Sequence, residues 1–334
     1  MSEIADEHAE LFHYTTIGGL GGILKSQTLW ATHALFLNDK AEIVAFKDRL
    51  CDLLKPAVSV GAESLAHVPA NQLLLEQSAS KEAVVEQVAR DIVQSMYATL
   101  LGSPTSPPYI NPFIVSFCTP LSERVADHGL LSQWRGYGRD GGYAIVFDTA
   151  RLSALIASEA EKWSWDLFGG DVVYSADPPD RFRTEFEGAI ETMHRGVSEF
   201  LRSAGNNLAA LDPIYQALIF CACRYKHWGF EEEKEVRVIA IPSNREIIAE
   251  SRRRNLRAAE KPITSYLRGG AVVPCVHLFE GTTSLPDNPL PITRIIVGPH
   301  PEKEQRGRAV EMMLGQLGIQ ATVSVSEIPC ASRD

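Results

Sequence analysis

The feature that most constrains the fold is a charged segment, residues 233–241 (EKEVRVIAI), whose apolar end predicts a β-strand. Alternate side chains of a strand share a face, so Glu233, Glu235 and Arg237 are predicted to lie on one side. Two carboxylates this close repel each other unless a cation, a proton or a ligand hydroxyl lies between them. Arg237 can supply the cation through a bidentate bond to one carboxylate, which leaves the other to act on a ligand.

The alternative interpretation of this segment is a solvated edge strand. Trp228 and Phe230 precede it, and the residues from Val236 to Ile241 are apolar. This composition favours partial burial, and burial makes unpaired charges costly. Charges retained under that cost favour a functional site over a solvated surface.

Composition limits the classes of function. The 334 residues are 45% hydrophobic and 22% charged, as in an ordinary globular protein. A net charge of −10 disfavours broad nucleic-acid binding, although residues 251–257 (SRRRNLR) form a local basic patch. No apolar run approaches the ~20 residues of a membrane span, and the first residues lack the basic and apolar regions of a signal peptide. We therefore expect a cytoplasmic protein with no membrane contact and with reduced cysteines.

Short predicted strands alternate with helical segments along the chain, and no internal repeat is present. We expect Gly18 and Gly19 to end the first strand (11–17), and we expect the helix that begins near residue 40 to end before Pro56. The pattern favours an α+β fold in one domain, residues 1–334, with a mixed or antiparallel sheet core and helical insertions. The core strands are predicted within about 11–36, 113–148, 171–175, 233–241 and 292–326, and the helical inserts at about 40–101 and 180–228.

Two further groups of residues are candidates for a site. His13 and Thr15 share one face of the first predicted strand, where an imidazole and a hydroxyl can clamp a sugar hydroxyl. Trp134 and Tyr137 lie beside a glycine-rich turn and can provide a stacking surface, with Ser116 lining the same cleft. The alternatives are a surface histidine and core aromatic residues. The glycines do not form a dinucleotide-binding fingerprint, because they follow a helix-like segment and precede a strand.

Several motifs resemble a widespread bacterial family named only as domain of unknown function 2971 (DUF2971). The resemblance extends from about residue 11 to residue 330 and departs at Cys118, where a serine is expected after the phenylalanine. The motifs that carry it are residues 13–15 (HYT), 29–31 (LWA), 37–39 (LND) with Glu42, 132–138 (SQWRGYG), 142–148 (GYAIVFD), 226–237 with E-x-E-x-R, 295–299 (IIVGP) and 326–329 (SEIP).

That family in turn is distantly similar to the ADP-ribosyltransferases, which bind NAD through a His or Arg on the first strand, a Ser or Tyr on a middle strand and a Glu on a late strand. The positions that match here are His13, then Ser116 or Tyr137, then Glu235, with Glu233 two residues earlier as in the E-x-E enzymes. The resemblance implies a split-sheet core of ADP-ribosyltransferase type with large helical insertions.

The resemblance also implies a chemistry. NAD is the substrate, and cleavage of its nicotinamide–ribose bond passes through an oxocarbenium-like centre. Glu235 would stabilise the positive charge through a ribose hydroxyl, and Glu233 would position the acceptor. The acceptor would be a protein, a nucleic acid or water, no metal is implied, and such enzymes serve as toxins or phage-defence effectors that a regulatory partner protein can control. The implied NAD-binding residues are His13, Tyr14, Thr15, Ser116, Trp134, Tyr137 and Arg237.

Two alternative functions remain open. In the first, Glu233, Glu235, Asp39 and Asp148 hold Mg²⁺ in a metal-dependent nuclease. Strand alternation turns Lys234 away from these carboxylates, which counts against the E-x-K arrangement of such enzymes. In the second, the chain is a non-catalytic nucleotide-binding module of a defence system. The histidine and the aromatic residues fit this module as well as they fit an enzyme.

Overall fold

The computed structural model describes residues 2–37, 42–65, 80–102, 111–137, 141–163, 165–203, 212–242, 248–249, 253, 259–281 and 290–329. The chain divides into two compact units. The first comprises Met1–His33, Phe113–Val172 and Gly229–Asp334, and the second comprises Ala34–Pro112 and Val173–Trp228. The predicted helical inserts lie in the second unit, and the grouping of the whole chain as one domain stays a prediction.

The described residues form twelve strands and ten α-helices. The strands are β1 (Glu10–Thr15), β2 (Leu29–His33), β3 (Phe113–Cys118), β4 (Tyr143–Asp148), β5 (Asp166–Asp171), β6 (Val173–Tyr174), β7 (Tyr225–Lys226), β8 (Glu235–Ile241), β9 (Ile263–Arg268), β10 (Ala271–Leu278), β11 (Ile292–Val297) and β12 (Thr322–Val325). The helices are α1 (Ser2–Glu7), α2 (Ile17–Ser26), α3 (Glu42–Leu65), α4 (Lys81–Leu101), α5 (Glu123–His128), α6 (Leu131–Tyr137), α7 (Thr149–Trp163), α8 (Pro179–Arg202), α9 (Asp212–Ala222) and α10 (Lys303–Leu317).

Ten strands of the first unit form one mixed sheet. Eight follow the order β12-β11-β4-β1-β3-β2-β10-β9, and β8 pairs with both β3 and β5. Only the β11–β12 pair is parallel among the strand pairs described in this sheet. The predicted α+β class with a mixed sheet is confirmed, whereas the finer assignment to an ADP-ribosyltransferase-like sheet stays a prediction.

The sheet has a gap beside its central strand. Strand β8 pairs with β3 along the whole range from Phe113 to Cys118. Strand β1 pairs with β3 only at Cys118, and β2 pairs with it only at Phe113 and Ile114. Because a strand has two edges and β8 occupies one edge of β3, β1 and β2 must both pair with the other edge. Neither covers residues 115–117 among the described pairings, and this uncovered stretch of edge is called the β3 gap below.

The two faces of the sheet differ. One face carries Leu11, Phe117 and Ile145 and packs into the main hydrophobic core, to which α2, α7 and α10 also contribute. The opposite face carries a smaller buried cluster that includes Phe12 and Cys118. Alternation along β3 and β8 places Ser116, Glu235 and Arg237 on this second face as well.

Three element boundaries differ from the prediction. Gly18 and Gly19 do not end β1, because Thr16 accepts a hydrogen bond from the N–H of Gly19 (3.2 Å) and so caps α2, which contains both glycines. Helix α3 continues through Pro56 to Leu65, since Leu54 and Val58, both fully buried, carry its apolar face past the proline. Strand β8 begins at Glu235, two residues after the predicted start.

The second unit is built mainly from helices. Helix α3 packs against α4 and α8, and α8 packs against α9. Phe46, Phe182 and Phe186 form an aromatic cluster between α3 and α8. Across the described helices of both units, none is long and apolar enough to cross a membrane.

Candidate functional site

Glu235 and Arg237 form a bidentate ion pair inside the sheet. Arg237 donates from Nε to Oε1 of Glu235 (2.7 Å) and from Nη2 to Oε2 (2.9 Å). Only 4% of Glu235 and 1% of Arg237 is exposed. The predicted bidentate bond is therefore present, with Glu235 as its acceptor. Desolvated ions of this kind persist only when each satisfies the other.

Glu233 does not share a face with Glu235, so that part of the strand prediction is wrong. Glu233 is the last residue of a 3₁₀-helix, Trp228–Glu233, and β8 starts after it. Between the two carboxylates the backbone of Lys234 is left-handed (φ +39°), which interrupts strand alternation. Lys234 donates from its N–H to the carbonyl of Glu231 (3.2 Å) and so closes this turn. The catalytic roles of both glutamates stay predictions.

His13 is bound to the β3 gap from the β1 side. Its Nδ1 lies 2.9 Å from the carbonyl oxygen of Ser116, and its ring lies beside Phe117 with centroids 5.8 Å apart. A carbonyl only accepts hydrogen bonds, so Nδ1 carries the proton. Burial lowers the pKa of His13, outweighing the hydrogen bond that raises it, and the ring is neutral at pH 7. The neutral ring then presents Nε2 as an acceptor.

His13 and Glu235 approach the sheet from opposite faces. Phe12 pairs with Cys118, and Cys118 pairs with Glu235, so these three residues share one face and His13 lies on the other. Two strand spacings separate β1 from β8, about 10 Å. A ligand that contacts both side chains has to reach across β3, and the β3 gap is the opening beside that strand among the described pairings. Thr15 is 9% exposed on the His13 face.

Tyr14 and Trp134 form a buried pair. Their rings meet edge to face with centroids 4.9 Å apart, and they are only 6% and 4% exposed. The Tyr14 hydroxyl accepts from the N–H of Leu130 (2.8 Å), and Nε1 of Trp134 donates to the carbonyl of His128 (3.0 Å). This packing favours a structural role for both rings. Tyr137, at the end of α6, is 39% exposed.

An aromatic group on β2, β9 and β10 was not predicted from the sequence; it consists of Trp30, Tyr266 and His277 and is called the Trp30 group below. Trp30 and His277 are paired in register, and their rings are stacked with centroids 5.3 Å apart and planes 10° apart. The ring centroids of Tyr266 and Trp30 lie 5.7 Å apart, and the Tyr266 hydroxyl is 3.0 Å from Oγ1 of Thr32. All three rings are partly exposed. Strand alternation along residues 29–33 turns Trp30 and Thr32 away from the core, and this pattern could have identified Trp30 as a candidate from the sequence.

The carboxylates of the nuclease alternative are not brought together in the part of the chain that the structure describes. Asp39 lies outside it. Asp148 accepts a hydrogen bond from the N–H of Arg151 (2.8 Å) at the start of α7. The one group of potential metal ligands found among the described residues is Glu7, His8 and Asp171, which contains none of the proposed ligands. Of the basic patch 251–257, only Arg253 lies within the described residues.

Comparison with known proteins adds one finding. A family model described as "Protein of unknown function (DUF2971)" matches residues 133–238. The match spans less than half of the chain, includes Trp134, Glu235 and Arg237, and supports the predicted resemblance to that family. No curated protein and no solved structure matches the chain.

Proposed function

We propose that this protein cleaves the nicotinamide–ribose bond of NAD and transfers ADP-ribose to water or to a macromolecular acceptor. The observation that carries the proposal is the neutral His13 held at the β3 gap by its bond to Ser116. The strand order β1-β3-β8 gives further support, because it brings a histidine, a serine and a buried glutamate onto three adjacent strands in the order that the resemblance implies.

His13 binds a ribose hydroxyl in this proposal. The hydroxyl donates to Nε2, because Nδ1–H is already committed to the carbonyl of Ser116. The bond to Ser116 fixes the ring orientation before the substrate arrives, which lowers the entropic cost of binding. Protonation of the ring would remove the acceptor, so binding should weaken in acid.

Glu235 stabilises the developing positive charge of the ribose. A carboxylate has about four acceptor sites, and Arg237 uses two of them in a fixed geometry. A hydrogen bond from a ribose hydroxyl to this carboxylate would couple its buried negative charge to the oxocarbenium centre. Electrostatic stabilisation of this kind is strongest where water is excluded.

The bond changes balance as follows. The C1′–N bond of NAD breaks, and its electron pair stays on the nicotinamide nitrogen, which becomes neutral. A lone pair of the acceptor oxygen or nitrogen then forms the new bond to C1′ from the open side of the ribose. The acceptor loses one proton, which a carboxylate or solvent takes up. Glu233, partly exposed at the end of its turn, is the proposed residue for this last step.

The test follows free nicotinamide when the purified protein is incubated with NAD, with and without cell extract to supply an acceptor. We expect release by the parent and a loss of roughly tenfold or more for His13→Phe, which keeps a ring and removes both nitrogens. His194→Phe is the matched control, because His194 also bonds a backbone carbonyl, that of Leu53 (2.6 Å), in the second unit. Equal losses in the two variants, or no release by the parent in either condition, would contradict the proposal.

The proposed role in the cell is that of a toxin-like effector that depletes NAD. Overexpression of the parent should arrest growth and lower cellular NAD, and His13→Phe should relieve both effects. If overexpression of the parent changes neither growth nor cellular NAD, the toxin role is contradicted. The proposed enzymatic activity is then still tested by the nicotinamide assay described above.

A further inference from the structure

We propose that the Trp30 group is the wall on which the flat nitrogen heterocycle of a nucleotide stacks, with Trp30 Nε1 donating a hydrogen bond to that ring. This inference rests on the proposed function for its choice of nucleotide. It assigns a ligand role to residues for which neither the sequence motifs nor the family match specifies one.

The position of Trp30 in the sheet follows from the register of β2 with β3. Thr32 pairs with Ile114, and antiparallel register places Trp30, two residues earlier, level with Ser116. At that level β2 has already separated from β3. Trp30 therefore borders the β3 gap from the β2 side, as His13 borders it from the β1 side.

The indole N–H is the hydrogen-bond donor of the Trp30 side chain. Its Nε1 is buried and has no hydrogen-bond partner among the residues that the structure describes. A buried donor without a partner is destabilising, and an acceptor on a bound ligand would relieve that cost. The ring itself is partly exposed, so a bound ligand can contact the indole, and an acceptor on that ligand reaches the buried Nε1 after a local shift of neighbouring side chains.

The surroundings of the indole favour a flat and neutral ligand. His277 stacks on Trp30, and burial is the main cause that lowers its pKa, so this second ring is also uncharged at pH 7. Tyr266 and Thr32 join their hydroxyls beside the stack (3.0 Å). Stacking platforms of this composition hold nucleobases and similar heterocycles, whose ring nitrogens or carboxamide oxygens accept hydrogen bonds.

The stacking residues expected from the sequence are Tyr14, Trp134 and Tyr137. Tyr137 is 39% exposed, whereas Tyr14 and Trp134 are much less available than the Trp30 group. Tyr14 and Trp134 each expose less than a tenth of their surface, and their polar atoms are bonded to the backbone. The Trp30 group has more exposed ring surface than Tyr14 and Trp134, and it contains an unsatisfied donor. It is the better candidate for contact with either the adenine or the nicotinamide ring of NAD.

The experiment observes the indole N–H directly. Protein labelled with ¹⁵N gives one indole signal for each of the five tryptophans, and Trp30→Phe identifies the one from Trp30. AMP and nicotinamide mononucleotide are titrated separately, because one carries adenine and the other nicotinamide. We expect one of them to move the Trp30 signal downfield, as a new hydrogen bond would. The signals of Trp163 and Trp165, whose Nε1 atoms are also buried and have no partner in the described part of the chain, should stay in place.

Binding measurements on two variants complete the test. Trp30→Phe should weaken binding of the effective nucleotide about fivefold, the loss expected for one hydrogen bond. Trp228→Phe, the same change at a tryptophan that is 57% exposed, should leave binding unchanged. If Trp30→Phe does not fold, Phe variants of the other four tryptophans assign the Trp30 signal by elimination.

The outcomes separate this inference from the proposed function. Nicotinamide release from NAD with an unmoved Trp30 signal overturns the inference and leaves the proposed function standing. A moved Trp30 signal without nicotinamide release supports the inference and contradicts the proposed function. If neither nucleotide moves the signal and no nicotinamide is released, both are overturned.

Discussion

The buried pair of Glu235 and Arg237 leads to a quantitative prediction about stability. Glu235→Gln removes the negative charge but leaves the guanidinium of Arg237 in a site where only 1% of the residue is exposed. Breaking one side of a buried ion pair typically costs about 3–5 kcal/mol, because the remaining charge stays desolvated and has lost the bidentate bond that offset this cost. We expect the same range for Arg237→Met, which leaves the buried carboxylate instead.

The double variant separates this effect from simple loss of packing. With Glu235→Gln and Arg237→Met together, neither charge of the pair remains, so the cost should be no larger than about that of either single change. The double-mutant cycle should therefore give a coupling free energy of about 3 kcal/mol or more. The exposed pair of Lys234 and Glu231 is the control, and Glu231→Gln should cost less than about 1 kcal/mol.

Urea unfolding followed by circular dichroism and by tryptophan fluorescence measures these free energies. Additive costs in the cycle, or a cost below about 1 kcal/mol for Glu235→Gln, would refute the description of a desolvated and mutually dependent pair. The outcome also governs the activity assays, because a variant that has lost about 4 kcal/mol of typical domain stability must be assayed where it is still folded.

Three further predictions follow from local contacts. In α2, the Cβ of Gly21→Ala meets no atom of the described residues within 4 Å, so this variant should stabilise the fold by about 0.5–1 kcal/mol. The Cβ of Gly22→Ala lies 3.2 Å from the Trp30 ring, so this variant should stabilise the fold less. Equal shifts in melting temperature would contradict the prediction. Burial lowers the pKa of His13, so the unfolded chain takes up a proton at this histidine first as pH falls, and the free energy of unfolding should decline below about pH 6.5. A pH series of unfolding curves should show a shallower decline for His13→Phe than for the parent. Parallel declines would contradict this prediction. Tyr14→Phe leaves the N–H of Leu130 without its acceptor and should cost about 1–3 kcal/mol by the same unfolding assay; a cost within error of zero would argue against that bond.

The strands that could be predicted from the sequence are those with continuous apolar runs. Residues 113–118 and 143–148 are almost fully buried, and burial on both faces leaves the run of apolar residues that identifies such strands. Strands β5 and β9 could not be found in this way. β5 contains Gly169 and Gly170, β9 is mostly exposed, and both owe their conformation to pairing with β8 and β10.

The candidate site was predictable only where a local pattern fixes it. Alternation along β8 correctly joined Glu235 to Arg237, but it failed at Glu233 because a lysine gives no sign of the left-handed backbone at position 234. The stack of Trp30 on His277 joins residues far apart in the chain. Their contact depends on strand register, which the sequence of either strand alone does not contain.

The most direct test of the central claim is a mass balance on NAD. The purified protein is incubated with NAD and cell extract in the presence of EDTA, and intact NAD and free nicotinamide are followed together by nuclear magnetic resonance. We predict that nicotinamide appears in a one-to-one ratio with the NAD lost and at a rate that falls for His13→Phe but not for His194→Phe. NAD that stays intact, or NAD loss that EDTA abolishes and Mg²⁺ restores, would contradict the claim.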